Sequence, residues 1–257
     1  MRRLSIVFAL LLVLAVPAFA ADNRVLYQRS TIDALMAGQY DGNCTLAELS
    51  KHGDFGIGTF DKLDGEMVLL DGRFYRVSSD GKARPAATSE TSPFASVTFF
   101  SPTRTATLGA ECDLEGMVQR IDSLLPSKNL FCAIRIEGRF AYVKTRSVPK
   151  QDKPYPRLTD VVAHQPTFEM RDVKGTIVGL YCPYFVKGVN VPGYHFHFIT
   201  SDRLQGGHLL DCRFDEAAVA LDSVPVFTLI LPTTSEFSNA DLQSGAPGDL
   251  KKVEQGR

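Results

Sequence analysis

The sequence predicts an α+β fold, with two packed lobes of mixed or antiparallel β-sheet and flanking helices. Most of the chain after Phe55 consists of short apolar runs separated by Gly and Asp-Gly, the pattern of strands joined by tight turns. Helical spacing is confined to a few segments. Three prolines between Val148 and Pro156 indicate a joint. We therefore expect an N-terminal α/β lobe over residues 21–150 and a C-terminal β-rich lobe over residues 151–257.

The composition is that of a globular protein. Of the 257 residues, 44% are apolar and 22% are charged, so the chain can bury a sizeable core. The 28 basic residues nearly balance the 29 acidic residues, for a formal net charge of −1. This balance lacks the excess positive charge that a nucleic-acid-binding domain needs.

Residues 1–20 have the composition of a secretory signal peptide. Arg2 and Arg3 precede an apolar run from Ile6 to Val16, and Ala18-Phe19-Ala20 resembles a cleavage site. An uncleaved membrane anchor is the alternative, but the apolar run is short for spanning a bilayer. We expect a soluble mature protein exported to the periplasm or the medium, with no membrane association after cleavage.

Three helices are predicted. Thr31 to Ala37 is a short candidate with Ser30 as its cap, and Leu46 to Lys51 is a second. Leu114 to Leu125 is the longest, because its apolar residues recur at intervals of 4, 3 and 4.

Two hairpins and several further strands are predicted. Met67 to Leu70 and Arg73 to Val77 flank Asp71-Gly72, a favoured two-residue turn. Phe131 to Ile136 and Phe140 to Val143 form a second hairpin around residues 137–139. The other strand-like segments are Val97 to Phe100, Thr176 to Cys182, Tyr194 to Thr200, His208 to Phe214 and Val226 to Leu231.

Five cysteines leave at least one thiol unpaired within the chain, and the sequence does not choose among the possible pairings. No C-x-x-C occurs, which argues against a thiolate zinc knuckle or a thioredoxin-type site. A bond between Cys182 and Cys212, both in strand-like runs, is one possibility. Burial of both as small hydrophobic residues is the other.

Three of the five histidines fall within fourteen residues, at His195, His197 and His208. The first two lie two apart on a strand and so project from the same face, whereas Phe196 and Phe198 point into a core. The turn residues at 202–207 should reverse the chain and bring His208 beside His197.

Three converging imidazoles suit Zn²⁺ or a related divalent ion, with at least one coordination position left open as in catalytic sites. The alternative is a polar strand face on which the three histidines lie by coincidence.

Four segments resemble the alpha-acetolactate decarboxylases. GYHFHFITSDRLQGGHLLD (Gly193 to Asp211) is similar to the metal-binding signature of that family. GTFDKLDGEMVLLDGRFYRV (Gly58 to Val77), SPFASVTFF (Ser92 to Phe100) and YVKTRSVPKQDKPYPRL (Tyr142 to Leu158) are similar to other family segments in the same order. Together they span most of the predicted mature chain.

The resemblance implies decarboxylation of 2-acetolactate to acetoin and CO₂ on a two-lobed α/β fold. It implies a zinc ion held by His195, His197 and His208, and a homodimer. Such an enzyme acts in acetoin formation and needs no other cofactor and no nucleic-acid partner.

The resemblance also implies four further site residues. Glu66 matches the active-site acid of a DGE motif, Arg146 the arginine of KTRSVPKQ, and Thr59 a residue that lines the site and contacts the substrate. Glu254 matches a second acid near the C-terminus by its position alone. The alternatives are a hairpin-edge charge for Glu66, a strand-end ion pair for Arg146 and a solvated tail position for Glu254.

These residue types suit the implied reaction. Adjacent hydroxyl and ketone oxygens on the substrate can chelate one metal ion, which stabilises the enediolate left when CO₂ departs. Arg146 would orient the substrate, and Glu66 and Glu254 are candidate proton donors.

Two other classes of protein would share part of this pattern. A cupin-like or carbonic-anhydrase-like zinc enzyme would share the H-x-H strand but not the other segments. A non-catalytic exported metal-binding protein would share the histidines alone.

Overall fold

The computed structural model describes residues 24–109, 111–243, 246 and 248–255. The predicted signal peptide, residues 1–20, lies outside these residues. Within them, no helix is both long enough and apolar enough to cross a membrane.

Fifteen strands lie within the described residues. They are β1 (Val25–Arg29), β2 (Cys44–Thr45), β3 (Phe55–Thr59), β4 (Glu66–Leu70), β5 (Arg73–Val77), β6 (Ala83–Pro85), β7 (Thr91–Ser92), β8 (Ala95–Thr98), β9 (Arg104–Leu108), β10 (Cys112–Asp113), β11 (Phe131–Arg146), β12 (Thr167–Cys182), β13 (Gly193–Thr200), β14 (Gly206–Val224) and β15 (Val226–Ile230).

Six α-helices are described. They are α1 (Ile32–Met36), α2 (Leu46–Leu49), α3 (Leu114–Leu124), α4 (Leu158–Val162), α5 (Ser235–Asn239) and α6 (Asp249–Gln255). Two short 3-10 helices cover Asp61–Leu63 and Tyr184–Val186. The predicted α+β class is confirmed, with strands predominating.

The strands form two large sheets and one small one. Seven strands form the first sheet in the order β15-β1-β8-β3-β4-β5-β6. Six strands form the second sheet, in which β11 lies between β12 and β14, and β13 pairs with both β12 and β14. The small sheet pairs β2 with β7. Except for the parallel pair β1–β15, the strand pairs are antiparallel.

The two large sheets enclose a shared hydrophobic core. Leu26, Ile57 and Val68 of the first sheet pack against Val178 and Ile199 of the second, and all five are buried. The other face of the second sheet packs against α3, and the other face of the first packs against α2. Burial of a strand on both faces explains the nearly continuous apolar runs in the sequence.

A fourth apolar cluster joins helices from distant parts of the chain. Ile32 of α1, Leu158 of α4 and Val253 of α6 are buried together. All three also line one small cavity.

The first predicted hairpin and the longest predicted helix are confirmed. β4 and β5 pair through Leu70 and Arg73, and positive φ angles of 52° at Asp71 and 74° at Gly72 give the turn of the hairpin. Helix α3 begins after Asp113, whose side chain accepts a hydrogen bond from the Gly116 amide. The cap of α1 is Thr31 and not the predicted Ser30, since the Thr31 hydroxyl accepts from Ala34 N at 3.2 Å.

The second predicted hairpin is wrong. Residues 131–146 form one continuous strand, β11, because both of its edges pair along nearly their whole length with β12 and β14. Gly138 lies opposite Gly175 and Ala217 inside this ladder. The tertiary pairing of a central strand therefore overrides a local turn signal.

The joint predicted near residue 150 does not separate the two large sheets. β11 precedes it and belongs to the second sheet, whereas β15 follows it and belongs to the first. Each sheet is completed by strands from the other side of the proline-rich segment.

All five cysteines are buried as free thiols. Cys182 lies in the core between the sheets and Cys212 lies in the cluster against α3, so the pair that the sequence suggested is not bonded. Strand β11 separates their two strands.

Candidate metal and active site

The three clustered histidines lie on two neighbouring strands. His195 and His197 project from β13, and His208 of β14 pairs directly with His197, as the predicted chain reversal requires. One potential ligand atom from each ring lies within 4.8 Å of the other two. Phe196 and Phe198 point to the opposite face and are buried in the α3 cluster.

Gly207 lets β14 begin close to β11. Its φ angle of 134° is unfavourable for other residues, and a Cβ atom there would lie 2.4 Å from the carbonyl oxygen of Arg146. The next residue along the chain is His208, which pairs with Arg146 across the β11–β14 ladder. A register shift between Lys144 and Thr145 precedes this pair. Such irregularities redirect side chains next to functional sites.

Hydrogen bonds fix which nitrogen of two rings faces the cluster. His197 Nδ1 lies 2.8 Å from Met67 O, so it donates to this carbonyl and Nε2 carries the lone pair. His208 Nε2 lies 2.9 Å from Glu254 O and donates there, which leaves its Nδ1 facing His195 Nε2 at 3.1 Å. Backbone carbonyls of this kind commonly orient metal-binding histidines.

The donor set fits a divalent metal ion. His197 Nε2 is buried without a hydrogen-bond partner, although a buried polar atom normally has one. Nδ1 of His208 and Nε2 of His195 face the same space. Three imidazole nitrogens are ligands that Zn²⁺ accepts, and a ligand at this position would satisfy the orphaned atom.

The environment keeps the three rings neutral. Burial, with a smaller contribution from the positive charge of Arg146, lowers the pKa of His195 to about 3. Burial also lowers the pKa values of His197 and His208 well below their usual value. Neutral imidazole is the form that binds a metal ion.

Two buried carboxyl groups flank the histidines. Glu66 Oε2 of β4 lies 3.5 Å from His197 Nε2, and Glu254 Oε2 of α6 lies 3.7 Å from His195 Nε2 and 3.9 Å from His208 Nε2. Burial raises the pKa of each carboxyl to about 7, against the opposing effect of the Arg146 charge. Both groups can therefore hold or release a proton near neutral pH.

Arg146, the last residue of β11, connects the two carboxyl-bearing elements. Its Nη1 donates to Glu66 Oε1 at 3.2 Å and to Gln165 Oε1 at 3.0 Å. Its Nη2 donates to Val253 O at 2.9 Å. The guanidinium is thus held on three sides, and its Nε is buried without a partner.

Thr59 lies opposite Glu66 in the β3–β4 ladder. Its hydroxyl donates to Gly65 O at 2.8 Å. A cavity of about 40 Å³, named here the inner cavity, is lined by six of the seven residues that the sequence singled out, the exception being His197. The lining members of that set are Thr59, Glu66, Arg146, His195, His208 and Glu254.

The structure thus brings all seven predicted site residues together, including Glu254, whose position was inferred from the tail alone. The sequence did not identify Gln165 or the carbonyl oxygens of Met67, Val253 and Glu254. Gln165 lies after α4 in a segment with no motif, and a main-chain carbonyl leaves no trace in the sequence. These partners are visible only after the chain has folded.

Fold and site together define a mixed α/β protein with a buried three-histidine candidate metal site between two carboxyl groups. Residues 26–244 match the family of the alpha-acetolactate decarboxylases. The alpha-acetolactate decarboxylase of Methanosarcina mazei is 50% identical over 231 residues, which cover 90% of this chain and 80% of that protein. That of Bacillus subtilis is 45% identical over 229 residues, 89% of each chain.

Solved structures agree with the sequence comparison. The crystal structure of alpha-acetolactate decarboxylase from Bacillus subtilis superposes with a TM-score of 0.86 at 44% identity and covers 91% of this chain and all of that one. The chain belongs to the alpha-acetolactate decarboxylase family. It is accordingly an enzyme, a carboxy-lyase.

Proposed function

We propose that the protein converts 2-acetolactate to acetoin and CO₂ with a zinc ion held by His195, His197 and His208. The observation that carries this proposal is the convergence of three neutral imidazoles with two carboxyl groups and one arginine. Family membership supports the substrate. The donor set supports the metal.

Zinc, when bound by the three histidines, would act as a Lewis acid for the adjacent hydroxyl and ketone oxygens of the substrate. The protein's part is to hold its ligands neutral and oriented, through Met67 O and Glu254 O. Burial of the site strengthens every electrostatic interaction within it.

The bond changes define what the other residues must do. The bond between the substrate carboxylate and its neighbouring carbon breaks, CO₂ departs, and the electron pair moves into the adjacent carbonyl group. One proton then adds to the carbon that lost CO₂. The reaction therefore needs a group that orients the substrate carboxylate or the developing oxyanion, and a group that delivers one proton.

Arg146 is suited to orientation. Its planar guanidinium is fixed by Glu66, Gln165 and Val253 O, and its orphaned Nε leaves a donor for a substrate oxygen. Thr59 lines the same inner cavity and adds a hydroxyl oxygen beside Glu66. Gln165 acts as a positioning residue for Arg146.

Glu66 and Glu254 are the candidate proton donors. Burial raises the pKa of each carboxyl to about 7, which favours the protonated form more than in an exposed glutamate. A general acid works best when its pKa lies close to the working pH.

Homodimerisation and export belong to the same proposal. Family resemblance supports the dimer, and the arginine-led apolar segment over residues 1–20 supports secretion to the periplasm or the medium. Sizing chromatography with light scattering tests the first. N-terminal sequencing of protein recovered from the culture fractions tests the second.

The function is tested directly with purified protein loaded with zinc. Incubation with 2-acetolactate should release CO₂ and acetoin in equal amounts, and chelator-treated protein should be inactive until zinc is restored. A protein with full zinc content and no acetoin formation would refute the proposal. Activity that survives complete removal of metal would refute its zinc dependence.

A further inference from the structure

A second, larger cavity adjoins the histidines from the outside. This outer cavity has a volume of about 730 Å³ and shares His195, His208 and Glu254 with the inner cavity. Thr59, Glu66 and Arg146 line the inner cavity alone. The three shared residues therefore form the boundary between the two spaces.

The exposed fraction of the side chains gives the direction of access. The most exposed side chains of the site are His195 and Glu254, which line both cavities and retain 11% and 13% of their surface. Glu66 and Arg146, which line the inner cavity alone, retain 8% and 5%. His208 and His197 retain 3% and 1%. Solvent thus reaches the site from the side of the outer cavity. The inner cavity is otherwise closed by apolar residues such as Leu63, Phe94 and Leu158.

Two lysines are the basic side chains that line the outer cavity within the described part of the chain. Lys187 follows the 3-10 helix Tyr184–Val186, and Lys251 lies on α6 one turn before Glu254. The rest of the wall is largely apolar, with Leu114 and Val118 of α3 on one side. In such surroundings an exposed positive charge attracts anions over a distance of about 10 Å at 0.1 M salt.

We propose that the outer cavity is the route by which the carboxylate substrate reaches the histidines, and that Lys187 and Lys251 attract it there. This inference rests on the proposed function, because its ligand is the anion of a 2-hydroxy-3-keto acid. Lys251 contributes more than Lys187, since Asp33 lies near enough to Lys187 for the two charges to interact. The lysines act on capture of the substrate and not on the bond-breaking step.

The test compares zinc-loaded wild-type protein with the double variant Lys187→Gln/Lys251→Gln and with the two single variants. At about 10 mM salt, the KM for 2-acetolactate should rise roughly three- to tenfold in the double variant, with kcat within about twofold of wild type. At about 0.5 M salt the difference in KM should disappear, because the charges are screened. Lys251→Gln should account for most of the change.

The matched control is Lys82→Gln. Lys82 lines a different cavity of about 450 Å³ that includes none of the three histidines. The KM of Lys82→Gln for 2-acetolactate should equal that of wild type at both salt concentrations. Lys187→Arg/Lys251→Arg, which keeps both charges, should restore the wild-type KM.

A second measurement needs no turnover. Binding of 2-hydroxy-2-methylpropanoate, an unreactive carboxylate, is followed by calorimetry and should weaken in the double glutamine variant at low salt. Equal KM and equal binding in wild type and double variant at low salt would overturn the inference, while acetoin formation by wild type would leave the proposed function standing. Absence of acetoin from wild type would instead reject the proposed function.

Discussion

The two sides of the site are built differently. On one side His197, His208, Glu66 and Arg146 lie on strands β13, β14, β4 and β11, each paired with neighbours in a large sheet. On the other side Glu254 lies on α6, a seven-residue helix packed against the cluster of α1 and α4 through the buried Val253. The first side is held by continuous ladders of hydrogen bonds, and the second by side-chain packing and a few polar contacts.

Two of those polar contacts use carbonyls of α6 itself. The last carbonyls of a helix have no partner within it. Here Val253 O accepts from Arg146 and Glu254 O accepts from His208. The difference between the two sides shows that the sheets can fix the positions of the three histidines, whereas docking of α6 completes the hydrogen bonding of His208 and Arg146 and adds the second carboxyl.

The largest expected effect lies on the sheet side. His197→Ala should abolish stoichiometric zinc binding and lower activity about ten-thousandfold, because loss of the metal removes several kcal/mol of transition-state stabilisation. Metal analysis and acetoin formation measure the two effects. The exposed His164→Ala is the control and should keep both. Retention of one zinc ion per chain by His197→Ala would show that the ligand assignment is wrong.

Replacing each of the two carboxyls in turn by an amide compares the two sides of the site directly. Glu66→Gln should lower kcat roughly hundred- to thousandfold with zinc content unchanged, because it removes a proton donor held in place by Arg146. Glu254→Gln should have a smaller effect, since its carboxyl Oε2 has no hydrogen-bond partner to fix it. Steady-state kinetics on the metal-loaded variants measure the two falls in kcat. Unchanged kcat in Glu66→Gln would eliminate it as the proton donor.

Docking of α6 can be broken without changing any of the seven predicted site residues. Val253→Asp places a carboxylate in the apolar cluster of α1 and α4, which costs several kcal/mol, so the helix should leave its position. We expect kcat to fall roughly thirtyfold and zinc affinity roughly tenfold, because His208 and Arg146 lose their carbonyl acceptors.

The control for this variant is Lys252→Asp, which introduces the same side chain at an exposed neighbouring position. Thermal unfolding followed by circular dichroism should show that the sheets remain folded in both variants. If a folded Val253→Asp protein kept the kinetics and zinc affinity of wild type, docking of α6 would not be needed for catalysis or for zinc binding.

The smallest expected effect concerns Gln165, which the structure places against Arg146 on the sheet side. Gln165→Leu should lower kcat about tenfold, because it removes a hydrogen bond to a charged group. Gln165→Glu keeps an acceptor oxygen and should recover part of the loss, which distinguishes positioning from general destabilisation. The exposed Gln119→Leu should match wild type. Equal kcat for Gln165→Leu and wild type would refute the positioning role.

The sequence predicted some parts of this protein well because their signals are local. The β4–β5 hairpin follows from Asp71-Gly72, and α3 follows from the spacing of its apolar residues. His197 and His208 could be paired in advance because one short turn joins their strands. The sequence failed at residues 137–139, where a turn signal lies inside a strand paired on both edges.

The sequence by itself determined the fold class and the face of the β13–β14 hairpin that carries the three histidines, and through resemblance it pointed to the distant acids and the arginine. The tertiary structure decided which strands belong to which sheet, how Gln165 and three main-chain carbonyls orient the site, and where the site opens to solvent. The physical reason is separation along the chain. Contacts within a hairpin are set by turn chemistry and side-chain alternation, whereas Glu66, Arg146 and Glu254 meet only because burial of the shared core brings their strands and helix together.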